Sequence, residues 1–159
     1  MIKVTFITLG KLKEKYLRDA VDEYKKRLSR YCSLDIIELE PVKLPEKPSD
    51  NEINQALEKE SLEINKRIPK DSAVFSLCIE GKELSSEEFA DRIQDLSNMG
   101  KSLAFIIGSS YGLSPKVKME SDLRLSVSKM TFPHQLFRVM LLEQIYRAFK
   151  INEGSAYHK

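Results

Sequence analysis

Leu103-Ala-Phe-Ile-Ile107 is apolar at every position and stops at Gly108. A strand with one wet face alternates polar and apolar residues, and this run does not. It therefore reads as a strand buried on both faces, inside a parallel sheet with helices above and below. The rest of the chain has the alternation that such a sheet requires. Ile2 to Leu9 is β-rich, ends at Gly10 and reads as the first strand. Over 12–31 the spacing of Leu12, Tyr16, Leu17, Ala20, Val21, Tyr24, Leu28 and Tyr31 predicts an amphipathic helix with a basic wet face. Leu34 to Leu39 is a second strand, and Pro41, Pro45 and Pro48 mark a loop. Ser49-Asp-Asn-Glu52 is a capping-box pattern, opening a helix with Ile53, Leu57, Ile64 and Ile68 on one face. Ala73 to Ile79 is a third strand, turning at Glu80-Gly81. Ser85-Ser-Glu-Glu88 opens another helix, with the stripe Phe89, Ile93 and Leu96 and a stop at Gly100. Ser114-Pro115 starts a short helix, Leu123 to Val127 is a fifth strand, and Pro133 opens the last helix.

The expected fold class is α/β, one domain over residues 1–159. With 42% hydrophobic and 31% charged residues the composition is that of a soluble globular protein. No run reaches the roughly 18 apolar residues of a membrane helix, and the N-terminus lacks a secretory pattern. Cys32 and Cys78 have no metal-type spacing and read as small buried residues of a reducing, cytoplasmic protein. No His/Cys/Asp cluster suggests a metal. The net charge of +2 is unevenly spread, at +5 over residues 1–30, −7 over 31–115 and +4 over 116–159. Two basic ends brought together would make a positive patch suited to nucleic acid; a solvated surface is the other reading.

Ligands of parallel sheets bind beyond the carboxyl ends of strands. The places to look are Leu77 onward, Gly108 onward and Val127 onward. Gly108-Ser-Ser-Tyr-Gly-Leu113 is neither a P-loop nor a dinucleotide fingerprint, and reads as a ligand-approached loop or a plain tight turn. Val127-Ser-Lys-Met-Thr-Phe-Pro133 joins strand to helix through polar residues whose backbone groups need partners. It can present them to a heteroaromatic base, with Met130 and Phe132 as apolar walls, or it can be a helix-entry loop with both side chains in the core.

The last helix carries Leu136, Phe137, Val139, Met140, Leu141, Leu142, Ile145, Tyr146 and Phe149 around most of its circumference. So wide an apolar surface needs cover on more than one side, and a homodimer is an economical cover. His134 in the first turn reads as an ordinary capping or packing histidine. Tyr157-His158-Lys159 reads as a frayed tail or as an RNA contact, stacking on bases and meeting phosphate.

Taken together, several stretches resemble one family. They are Gly10-Lys-Leu-Lys13, the strand around Leu77, Ile107-Gly108-x-x-x-Gly112-Leu113, and Leu125-Ser-x-Ser-Lys-Met-Thr-Phe-Pro-His-Gln135. Arg138-x-x-Leu-x-Glu-Gln-x-Tyr-Arg-Ala148 and the Tyr157-His158 ending complete them. The chain resembles, end to end, the bacterial large-subunit rRNA pseudouridine N3-methyltransferases of the SPOUT class. The resemblance implies a parallel-sheet SPOUT fold with a C-terminal trefoil knot, and a homodimer that binds S-adenosylmethionine near the subunit interface. It implies methylation of a pseudouridine in 23S rRNA on assembled ribosomes. By motif, cofactor contacts fall at Leu77, Gly108, Val127, Ser128, Lys129, Met130, Thr131 and Phe132. RNA contacts are expected from Lys11, Lys13, Arg138, Tyr157, His158 and Lys159. The family commonly has a second glycine after Gly108. Here Ser109 stands in its place, which narrows the backbone angles and the room for a ligand. A SPOUT enzyme acting on tRNA and a non-catalytic ribosome-binding factor are the competing readings.

Methyl transfer from a sulfonium to a ring nitrogen is a positioning task that also requires removal of the N3 proton. Arg138 is the expected electrostatic stabiliser of the anion. His134, or His158 from a partner subunit, is the expected proton acceptor. Lys129 is expected to point to RNA or solvent, because a cation beside the sulfonium would oppose binding.

Overall fold

A computed structural model describes residues 1–159. The elements run β1 (Ile2–Leu9), α1 (Lys15–Leu28), β2 (Cys32–Leu39), α2 (Asp50–Arg67), β3 (Ser72–Glu83), α3 (Ser86–Asn98), β4 (Ser102–Ile107), α4 (Pro115–Glu120), β5 (Leu123–Ser126) and α5 (His134–Asn152). The five strands form one sheet in the order β2-β1-β4-β3-β5, and every neighbouring pair is parallel. The apolar run that suggested a doubly covered strand is β4, at the centre, with Leu103 to Ile107 all buried.

Each face of β4 has its own cover. On one side α1, α3 and α5 pack on Phe6, Phe75 and Phe105, with Phe75 and Phe105 stacked at 4.8 Å. On the other side Ile64 of α2 and Val117 of α4 pack on Ile7, Leu9 and Ile106. Burial of each such side chain contributes about 1.5–3 kcal/mol. Both capping boxes form as the sequence predicts. Ser49 accepts from the Glu52 N–H and Ser85 from the Glu88 N–H, and each glutamate returns the bond to its serine's N–H. Gly100 takes φ +72° just beyond α3, a left-handed turn that suits glycine.

Three expectations shift. The first helix starts at Lys15 and ends at Leu28, shorter than the 12–31 that the spacing suggested. Arg18 donates to the Leu12 and Lys13 carbonyls, and the Lys13 N–H donates to Gln135 Oε1. These bonds hold 11–14 as a loop against the start of α5. The second shift is in β3, which does not end at Glu80-Gly81. Its pairing with β5 slips from Leu77↔Leu125 to Lys82↔Leu125, so residues 78–81 bulge out and the strand then resumes. Gly81 permits this, since a Cβ there would lie 2.8 Å from the Arg124 and Leu125 backbone.

The third shift concerns α5. Its Leu141, Leu142, Ile145 and Ala148 are buried between the sheet, α1 and α3. Much of the double cover that the helix needs therefore comes from its own chain. No helix is long and apolar enough to cross a membrane.

Candidate active site at the strand ends

The carboxyl ends of β3, β4 and β5 open onto a cavity of about 690 Å³ lined by 22 residues, 11 of them hydrophobic. Three segments build it. The β3 bulge gives Leu77 to Glu80, the turn after β4 gives Gly108 to Leu113, and the segment after β5 gives Val127, Ser128 and Met130 to His134. The three strand ends singled out from the topology therefore meet in one place. Of the expected cofactor residues, Leu77, Gly108, Val127, Ser128, Met130, Thr131 and Phe132 line the cavity. Lys129 is exposed and does not.

Each segment is fixed locally. Gly108 is crowded, because a Cβ there would meet the Gly112 carbonyl oxygen at 2.3 Å. The Gly112 N–H donates to the Ser109 carbonyl at 2.8 Å, and Gly112 itself has φ +81°. Ser109 has no positive φ, so this backbone accepts a serine where the resemblance led us to expect a constraint. After β5, Ser126 Oγ donates to the Ser128 carbonyl at 2.9 Å, and Ser128 Oγ accepts from the Met130 N–H at 3.0 Å. Two serine side chains thus shape the loop, a role that a reading of backbone groups alone missed.

Electrostatically the cavity is quiet. Lys118 is a cation in its wall, and it is ion-paired to Glu80. That hydrogen bond holds the Glu80 carboxyl below its ordinary pKa. Cys78, a free thiol, also lines the cavity.

A second cavity of about 300 Å³ adjoins the first. The two share Ser109, Ser110, Tyr111 and His134. The smaller one is otherwise lined by Leu9 at the end of β1 and Gly10, Lys11 and Lys13 beyond it, by the loop around Val42 and Leu44, by Ile53, Ala56, Leu57 and Glu60 of α2, and by Gln135. His134 therefore stands on the boundary of both. Burial first, then the nearby Arg138 and Lys13, pull its pKa below 6.5. It is mostly neutral near pH 7 and can accept a proton.

Arg138 lines neither cavity. It is 2% exposed, with Nη1 donating to Glu38 Oε2 at 2.8 Å and Nη2 donating to the Leu9 and Gly10 carbonyls at 3.1 and 2.6 Å. Its guanidinium ties α5 to the ends of β1 and β2. Burial lowers its pKa and Glu38 opposes the shift. Direct contact with a reacting base is not available to it in this arrangement. It reaches the site only through the floor it holds and its field at His134.

The C-terminal tail is docked rather than frayed. Tyr157 donates to Glu143 Oε2 at 2.8 Å and stands edge-on to Tyr146 at 5.1 Å. The same carboxylate oxygen accepts from Tyr24, whose pKa burial and Glu143 push up to about 12. His158 lies between Arg147 and Glu87, at 3.2 and 2.7 Å, and Lys159 is exposed. Glu143 is nine residues along α5 from His134, roughly 14 Å at 1.5 Å per residue. The expected RNA residues thus divide into Lys11 and Lys13 at the second cavity, the buried Arg138, and a tail placed further down α5. No group of three or more His, Cys, Asp or Glu is arranged to hold a metal.

The chain is similar to known proteins in sequence and in fold. The family described as "Predicted SPOUT methyltransferase" matches residues 2–158. The chain is 55% identical to the ribosomal RNA large subunit methyltransferase H of Bifidobacterium adolescentis, over 99% of this chain and 100% of that one. The protein of that name from Clostridium acetobutylicum is also 55% identical with the same coverage. A solved structure from Neisseria gonorrhoeae, described as a methylase-family protein, shares the fold with TM-score 0.51 at 8% identity. It covers 91% of this chain and 82% of its own. With a family match running from the second residue to the last but one, this chain belongs to the SPOUT methyltransferases.

Proposed function

We propose that the chain transfers a methyl group from S-adenosylmethionine to N3 of a pseudouridine in 23S rRNA, on assembled ribosomes and as a homodimer. The observation that carries this reading is the cavity where three strand ends converge, in a chain more than half identical to full-length rRNA large subunit methyltransferases. S-adenosylmethionine suits that cavity in size and character. Its volume lies within the range of small-molecule sites, half of its wall is hydrophobic, and Lys118 is neutralised by Glu80. When bound, the cofactor supplies an electrophilic methyl on a sulfonium sulfur. Leu77, Gly108, Val127, Ser128 and Met130 to Phe132 would hold it, mainly through backbone and apolar groups.

His134 is the group we assign to the N3 proton, since its neutral ring borders both cavities. If the imide pKa lies about two units above ambient pH, forming the anion costs roughly 2.7 kcal/mol, which a placed base offsets. Arg138 is a positioning residue in this scheme. Lys11 and Lys13 face phosphate. His158 and the rest of the tail stand too far along α5 to serve their own site, and they act in the site of a second copy. The C-terminal trefoil knot belongs to the same proposal, supported by the β3–β5 adjacency and by the return of α5 between α1 and α3.

Tritiated methyl transfer to ribosomes lacking the modification tests this, with free rRNA and tRNA as comparisons. Label is expected at one pseudouridine of 23S rRNA and only on ribosomes. Label in tRNA, or none in any substrate, would sink the reading.

A further inference from the structure

We infer that the second cavity receives the acceptor base and that Glu60 reads the N1–H that distinguishes pseudouridine from uridine. This rests on the function proposed above. A methyl acceptor must meet the donor edge to edge, so its pocket has to share a wall with the cofactor cavity. The second cavity does so through Ser109 to Tyr111 and His134. Lys11 and Lys13 in its wall suit the phosphates of a flipped-out nucleotide.

Glu60 is the unexplained residue of this cavity. It is only 6% exposed, on a helix whose other charges are mostly wet. Its Oε2 accepts the Val42 N–H at 2.9 Å. Oε1 has no hydrogen-bond partner in the protein and is not fully sealed from solvent. Burial holds the carboxyl above its ordinary pKa, a cost that a loop-holding role alone does not require. Pseudouridine carries two ring N–H groups, N1–H and N3–H, whereas uridine has a C–H in place of N1–H. With His134 taking the N3 proton, a carboxylate oxygen in the same cavity is a fitting acceptor for N1–H.

Glu60→Gln isolates the point. The amide oxygen takes over the Val42 N–H, which turns the NH2 toward the cavity. A donor then faces the N1–H of pseudouridine, while the C–H of uridine is little affected. We expect kcat/KM on pseudouridine-bearing ribosomes to fall by about ten- to a hundredfold. Whatever rate the wild type shows on ribosomes carrying uridine at that position should hold within about twofold, while calorimetric affinity for S-adenosylmethionine and Tm do not drop. A ratio between the two substrates unchanged from wild type would overturn the assignment.

Leu44→Trp is a second variant that does not depend on how Glu60→Gln folds. Leu44 lines only the second cavity, from its loop wall, so the indole plugs it. Ribosome methylation should fall about tenfold or more with cofactor affinity intact; unchanged methylation would overturn the proposal. A wild type that methylates no ribosome removes the enzymatic reading itself, a result separable from an active wild type with an unaltered Glu60→Gln ratio.

Discussion

His134 makes the site's chemistry testable through pH. Its depressed pKa means that the folded protein binds fewer protons than the unfolded chain in the window just below 6.5. Stability therefore rises with pH through that window and falls as pH drops into it. The same group should set the acid limb of catalysis. The single-turnover rate should fall on the acid side with a midpoint below 6.5. His134→Gln should remove both that limb and the stability slope, and lower the rate by about 10²–10⁴-fold. A rate profile with the wild-type midpoint in His134→Gln would assign the proton to another group. His134 was visible in the sequence as one of only two histidines, next to the most specific motif. Glu60 was not singled out, because Glu58-Lys59-Glu60 looks like a solvated helix face. The signal that could have found it is spacing. Ile53, Leu57, Glu60 and Ile64 fall on one stripe, which puts a carboxylate in line with core residues. Arg138 was visible as a site candidate but not as a clamp, since Leu9, Gly10 and Glu38 lie at least 100 residues away in sequence.

Among the elements, local chemistry was legible and long-range register was not. Both capping boxes, the glycine stop after α3 and the proline at the start of α4 depend on residues a few positions apart, and all formed as expected. The β3 bulge depends on how β3 meets β5 more than 40 residues away; Glu80-Gly81 marked a turn, but nothing local showed that the strand resumes beyond it. The segment after β5 falls between these cases. Its polar character announced a partner, but the two serine bonds that shape it appear only in three dimensions. Ser128→Ala removes the acceptor for the Met130 N–H and frees the wall that Met130 and Phe132 provide. A single hydrogen bond of this kind contributes about 0.5–1.5 kcal/mol, so S-adenosylmethionine affinity should weaken by about two- to tenfold in calorimetry. Ser85→Ala is the matched control. Loss of that cap should cost about 1 kcal/mol of stability and leave cofactor affinity unchanged. Equal effects of both variants on affinity would mean that binding follows global stability and not loop shape.

For the whole molecule, a doubly covered β4 sufficed to anticipate a parallel sheet between two helical layers. The apolar girth of α5 was a less direct guide, because α1 and α3 already cover much of it. The case for a homodimer now rests elsewhere. Of ten exposed large hydrophobics, Ile79, Tyr111, Val127 and Met130 line the cavity, and Met119 and Leu136 are each next in sequence to a residue that does, Lys118 and Phe137. Exposed hydrophobics scattered singly need no partner, but four on one cavity form the kind of patch that subunits bury. Met119 and Leu136 do not line the cavity, so the pair can be changed without altering its wall. Wild-type protein should sediment at twice the 18.3 kDa of one chain. Met119→Glu with Leu136→Glu should sediment as a monomer with an unchanged circular dichroism spectrum, since both side chains are already wet at 80% and 38% exposure. If the partner completes the site, ribosome methylation by that variant should fall by about tenfold or more, and raising its concentration should restore part of the loss by mass action. A folded monomer with wild-type turnover at every concentration would show that one chain holds both donor and acceptor unaided.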